Sequence, residues 1–213
     1  MKLIATPATL AVAMHQLQKR DALLAPIIQR YGPPAITPHN NYYQSLVESI
    51  ISQQLSVKAA DTILQRFIAL FPGKSFPEPA DLLVVDSEAL RSAGLSRQKA
   101  SYIQDVAVKI LDDSVQFDHL DQLDNEAVIA ELTAIKGVGI WTVHMFLIFC
   151  MGRLDVFPVG DLGIKNGMRA LYDLSEKPTT EQLESIVQKN NWHPYQSVAS
   201  WYIWQSLDNK PNL

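Results

Sequence analysis

Apolar residues recur at three- and four-residue intervals along almost the whole chain, and no stretch alternates apolar with polar long enough to form a half-buried strand. That spacing confines the chain to helices, each with one apolar stripe to bury against its neighbours, and predicts an all-α fold. Punctuation divides the pattern. "PATLAVAMHQLQKRDALLAPIIQRYG" reads as two helices, with Asp21 placed to cap the second and Gly32-Pro33-Pro34 to end it. "YYQSLVESIISQQLSVKAADTILQRFIALFPG" keeps helical spacing until Pro72-Gly73. Two short elements follow the proline-rich "FPEP", and "SRQKASYIQDVAVKILDD" starts from an N-cap at Ser96. "DNEAVIAELTAI" and "GIWTVHMFLIFCM" flank a glycine turn, and "DLGIKNGMRALY", "TTEQLESIVQKN" and "PYQSVASWYIWQSL" supply three more helices. There is no internal repeat and no clean linker, which suits one domain over residues 1–213.

Composition narrows the function classes. No apolar run approaches the roughly 20 residues that cross a bilayer, so no membrane partner is expected. The N-terminal "MKLIATPATLAVAMHQLQKRD" turns polar too soon for a signal peptide. The expectation is an intracellular protein, cytoplasmic in a bacterium or nuclear in a eukaryote. Cys150 is the only cysteine, which excludes an internal disulfide, a Cys-based zinc site and a four-Cys iron–sulfur cluster. A net charge of −4 gives no bulk support to a nucleic-acid partner. The acidic residues, however, crowd into "DDSVQFDHLDQLDNE", away from the glycine turn, and a protein that grips DNA through backbone N–H groups needs few cations.

The turn "IKGVG" places Gly137 and Gly139 between two helices, where missing side chains let a partner approach the backbone and the N–H groups opening the next helix converge on one spot. Such a spot suits a phosphate. Taken alone, the same two glycines also serve a plain helix–helix turn. Asp161 follows Pro158-Val159-Gly160 and precedes a helical pattern, so its simplest role is an N-cap.

In context, "LxxIKGVGxWT" resembles the helix-hairpin-helix motif of DNA repair glycosylases, and "DVFPVGDLGI" resembles the segment that carries their catalytic aspartate. With "ISQQLSVKAA", "AGLSRQKASYI" and "PYQSVASWYIW" in the same order, the chain is similar over roughly residues 40 to 207 to the HhH-GPD superfamily, 3-methyladenine DNA glycosylase II class. The resemblance implies a two-lobed helical fold, one lobe about 41–150 and the other about 1–40 plus 151–213. It implies that Gly137, Gly139 and Thr142 meet DNA phosphates and that Asp161 is the catalytic carboxylate. The backbone carbonyls of Thr133, Ile135 and Val138 would hold a structural sodium or potassium ion, with no cofactor needed for catalysis. Trp141, Met145 and Trp204 would line the base pocket, Gln54 or Leu55 would wedge into the duplex, and Lys99 would face DNA.

Trp141 stands where bifunctional relatives carry a lysine nucleophile, so the resemblance implies a hydrolase without lyase chemistry. Its expected partner is double-stranded DNA with a flipped alkylated base, bound by a monomer, and the expected reaction is hydrolytic release of N-alkylated purines that opens base excision repair. A noncatalytic binder of damaged or abasic DNA and a glycosylase for neutral damaged bases keep the same motifs and stay open. Two departures stand out: Gln196 and Gln205 occupy positions where the family tail carries basic residues.

Overall fold

The computed structural model describes residues 2–207. In chain order its helices are α1 (Pro7–Arg20), α2 (Ala25–Tyr31), α3 (Tyr42–Ser52), α4 (Val57–Ala69), α5 (Pro79–Val84), α6 (Ser87–Ser92), α7 (Arg97–Leu111), α8 (Asn125–Leu132), α9 (Ile140–Met145), α10 (Leu162–Leu171), α11 (Thr180–Lys189) and α12 (Gln196–Ser206). Among the described residues the only β-pairing is one isolated bridge between Ile4 and Arg153. The helices form two compact units. One is Asn41–Val143; the other comprises the described residues of Met1–Asn40 and His144–Pro211, so the division passes within α9. Residues 208–213, the end of the second lobe read from sequence, lie outside the described residues.

Helix starts are dictated locally. Thr6, Ser56, Asp86, Ser96, Asp124, Asp161 and Thr179 each accept a first-turn N–H with a side-chain oxygen. Each such cap is worth about 1 kcal/mol. The apolar stripes then fill the interiors. In the Asn41–Val143 unit, Leu46, Ile50, Phe67, Leu82, Ile103, Val106 and Leu132 are wholly buried. In the other unit, the same is true of Leu17, Ile28, Leu147, Ile164, Met168, Tyr202 and Ile203.

Asp21 anchors the second unit. One carboxylate oxygen accepts the N–H groups of Leu23 and Leu24 at 3.0 and 3.2 Å, and the other accepts the Trp192 indole N–H at 2.8 Å and the Tyr172 hydroxyl. Burial of a carboxylate costs several kcal/mol unless donors surround it, and here four do. Desolvation together with the Asp21 charge raises the Tyr172 phenol far above its ordinary pKa, so it stays a donor.

Two stretches depart from the sequence reading. The pattern from Tyr42 to Pro72 is not one continuous run: it breaks between α3 and α4, because Gln53 and Gln54 form a tight turn and Ser56 starts a new helix. The helix leaving the glycine turn widens into a π-helical turn at Phe146–Cys150, where the Met151 N–H reaches back to the Phe146 carbonyl at 3.0 Å. That turn lets the Cys150 carbonyl accept the His39 N–H at 3.0 Å.

Candidate functional site

The helix–turn–helix around "IKGVG" is held from behind by α7. Asp105, 8% exposed, accepts the Lys136 backbone N–H at 2.9 Å and pairs with its ammonium at 3.1 Å. Gly137 has φ +80°, and a Cβ there would lie 2.0 Å from Cδ2 of Tyr102, so both its backbone and its neighbour require glycine. Gly139 differs. A Cβ on it would meet nothing within 4 Å, so the fold does not demand a glycine there. Ile140 and Trp141 beside it are 59% and 40% exposed, whereas Thr142 is 7% exposed. An open glycine followed by two exposed apolar residues leaves room for a partner to approach the backbone.

The three carbonyls expected to hold a cation lie in this turn. Thr133 is the C-cap of α8, and its hydroxyl turns back to the Ile129 carbonyl at 2.6 Å. The Ile135 carbonyl accepts the Val138 N–H at 3.1 Å, and a carbonyl oxygen has a second lone pair. Neutral, hard oxygen donors of this kind fit an alkali cation better than a transition metal. No group of three or more His, Cys, Asp or Glu suited to a metal occurs among the described residues.

The turn between α3 and α4 faces a different demand. Gln53 has φ −47° and ψ 128°, Gln54 has φ +59°, and the Leu55 N–H closes onto the Ser52 carbonyl at 3.1 Å. That is type II turn geometry, which asks for glycine where Gln54 stands. A non-glycine residue in this region costs about 1–2 kcal/mol. Gln54 is exposed and Leu55 half-buried. Such strain at an exposed polar residue signals a side chain kept for what it does. Gln54→Gly is therefore expected to raise stability by about 1 kcal/mol, measured by chemical unfolding. Base release by this variant, from the activity proposed below, is expected to fall.

Lys99, expected from the resemblance to face DNA, is half-buried and engaged by its own chain. Its ammonium donates to the carbonyls of Ile51 at 2.8 Å and Gln53 at 2.5 Å, because the last carbonyls of α3 have no intrahelical donors. Burial lowers its pKa. Gln53 in turn donates its side-chain amide to the Gly137 carbonyl at 3.0 Å.

In the other unit, Asp161 is the N-cap of α10. Its Oδ1 accepts the Ile164 N–H at 2.8 Å and the Trp204 indole N–H at 2.8 Å, and 8% of the residue stays exposed. The indole is 1% exposed and tilts against Phe149 at 5.8 Å between ring centroids. Gly163 makes this approach achievable, since a Cβ there would come within 2.9 Å of Trp204 Cδ1 and 3.0 Å of Asp161 Oδ1. Trp204 thus meets Asp161 with its N–H edge. Met145 is 4% exposed.

The tail's departures find their reason here. Gln196 donates to Asp155 at 2.9 Å, and His193 pairs with the other oxygen of Asp155 at 2.7 Å, while Gln205 is buried. Position 196 is a structural contact in this chain. Tyr202 is buried and donates to the Gly32 carbonyl at 2.6 Å. Sequence reasoning missed Gln53, Tyr102, Asp105 and Gly163. Gly163 had a signal, a glycine inside the first turn of a helical pattern; the other three owe their place to tertiary packing.

A glycine hairpin between two helices, followed downstream by a carboxylate capping the next helix, is the arrangement on which the resemblance to helix-hairpin-helix proteins rests. A family model described as "HhH-GPD superfamily base excision DNA repair protein" matches residues 47–191. The alkylbase DNA glycosidase-like protein mag2 of Schizosaccharomyces pombe is 32% identical over 91% of this chain and 92% of its own length. Among solved structures, the S. pombe 3-methyladenine DNA glycosylase Mag1, in complex with abasic DNA, is 32% identical with a TM-score of 0.79, covering 91% of this chain and 95% of that one. A DNA-3-methyladenine glycosidase from Bacillus halodurans is 35% identical with a TM-score of 0.80, covering 97% and 92%. The chain belongs to the HhH-GPD superfamily of base excision DNA repair proteins.

Proposed function

We propose that this protein is a monofunctional DNA glycosylase of the 3-methyladenine class, hydrolysing the bond between deoxyribose and an N-alkylated purine in duplex DNA. The observation that carries the reading is Asp161, a carboxylate locked at the start of α10 by two N–H donors on one oxygen and still partly accessible. Breaking the base–sugar bond builds positive charge on the sugar in an oxocarbenium-like transition state. A fixed anion stabilises that charge without reorganising, and the same anion orients the attacking water. A base alkylated on a ring nitrogen is already cationic, so it leaves without a general acid. One carboxylate is then enough.

The other residues serve access. The base is everted before reaction, at a cost of a few kcal/mol, and Gln54 with Leu55 fills the gap. Amides at Gly137, Gly139 and Thr142 hold backbone phosphates, a monovalent cation on the Thr133, Ile135 and Val138 carbonyls offsets phosphate charge from behind, and the exposed Trp141 ring offers a π face that favours a cationic base. Trp141 also leaves no amine for a Schiff base, so strand cleavage is not part of the reaction. The protein acts on double-stranded DNA as a monomer. No helix among the described residues is long and apolar enough to cross a membrane.

The test compares leaving groups. Single-turnover release from duplexes carrying 7-methylguanine is expected to exceed release from duplexes carrying hypoxanthine, and equal release would favour a glycosylase for neutral bases. Trp204→Phe keeps the packing but removes the N–H to Asp161. It is expected to lower kcat about 10-fold with KM nearly unchanged, the loss of one charge-assisted hydrogen bond at the reacting group.

A further inference from the structure

We propose that Lys99 is a positioning residue: it locks the Ser52–Leu55 turn to the glycine hairpin, so that the segment entering the duplex and the segment gripping its backbone act as one rigid element. The inference rests on the functional reading above and deepens it. Lys99, Tyr102 and Asp105 stand at successive three-residue steps on α7 and so share a face. Between them they hold two pieces of chain. Lys99 binds the Ile51 and Gln53 carbonyls, Tyr102 packs its ring on Gly137, and Asp105 takes both the amide and the ammonium of Lys136. Gln53 closes the circuit by donating to the Gly137 carbonyl. Two segments more than eighty residues apart in sequence are thereby fixed to one helix face, with a strained Gln54 at the tip of the turn between α3 and α4.

The physical reason for such a frame lies in the work of eversion. A side chain that replaces an everted base is useful only if the loop carrying it resists being pushed back, and a turn anchored by a single flexible side chain would yield. Burial and two carbonyl partners make the Lys99 ammonium a fixed strut. Two of its three donors are taken by carbonyls of its own chain, and the role differs from that of a phosphate-binding lysine: a phosphate contact would strengthen every duplex alike, whereas a strut matters only where a base must leave the stack.

Lys99→Met tests this with two pairs of substrates. The variant is expected to bind undamaged duplex within about twofold of wild type, to bind a duplex with a tetrahydrofuran abasic analogue about 10-fold more weakly, and to release 7-methylguanine about 10-fold more slowly from a paired duplex. Release from the same lesion inside a mismatched bubble, already unstacked, should fall by less than about threefold. Lys99→Arg, which still donates to carbonyls, should recover most of the loss. Equal losses on paired and bubble substrates, a loss of undamaged-duplex binding as large as the others, or no loss anywhere would overturn the assignment. Should Lys99→Met fail to fold, Gln53→Ala removes only the link to Gly137 and carries the same expectations. If the wild-type protein releases no base, the functional reading fails, while the two binding measurements still decide the positioning role.

Discussion

Asp161→Asn is expected to abolish measurable base release, a loss of about 10³-fold, while the fold and the affinity for duplex DNA stay as they are. Asparagine caps helices as well as aspartate, and its carbonyl oxygen can still accept the Ile164 N–H and the Trp204 indole N–H that Oδ1 now takes. The negative charge is removed, and the other carboxylate oxygen becomes an amide nitrogen. Two unit charges about 4 Å apart interact by about 4 kcal/mol at an effective dielectric near 20, which sets the size of the expected loss. Single-turnover release, gel-shift affinity and a melting curve measured on the same preparation check all three parts. Release unchanged in this variant would move the chemistry to another residue.

The second large effect separates the two glycines of the hairpin. Gly137→Ala forces an L-residue into φ +80° and drives a methyl group into Tyr102, 2.0 Å away at its nearest atom. Left-handed strain of about 1–2 kcal/mol and overpacking of about 1–3 kcal/mol add to roughly 3 kcal/mol. For a chain of this size that lowers the melting temperature by about 6–12 °C. Gly139→Ala meets nothing, so its melting temperature is expected to stay within error, yet its affinity for duplex DNA should fall about 10-fold, because the added methyl would stand where the proposed function brings in a phosphate. Thermal unfolding and duplex titration of both variants check the contrast. Equal destabilisation by the two substitutions would show that the turn needs both glycines for its own shape alone.

Much of this was legible in the residues. The three- and four-residue apolar spacing announces an all-α chain, and the caps at Ser96 and Asp161 lie where sequence places them, because capping is local chemistry between a side chain and its own first turn. The break at Gln53–Ser56 was not legible. A strained Gln54 in a position suited to glycine sits in a turn that α7 holds through Lys99, and periodicity carries no record of that support. The partners of Lys99 were illegible for the same reason: the carbonyls that take its ammonium belong to a turn and helix end nearly fifty residues earlier. The resemblance singles out Asp161 from sequence, but the Trp204 N–H bonded to it and the Gly163 that admits the indole appear only when the helices are packed.

Incubation of the wild-type chain with duplex DNA bearing 3-methyladenine and 7-methylguanine, followed by chromatography of the small molecules and analysis of the strands, asks most directly whether a lone carboxylate suffices. Free alkylated bases, with unbroken strands carrying alkali-labile abasic sites, are the expected result. Absence of free base, or a protein–DNA adduct trapped by borohydride, would contradict it.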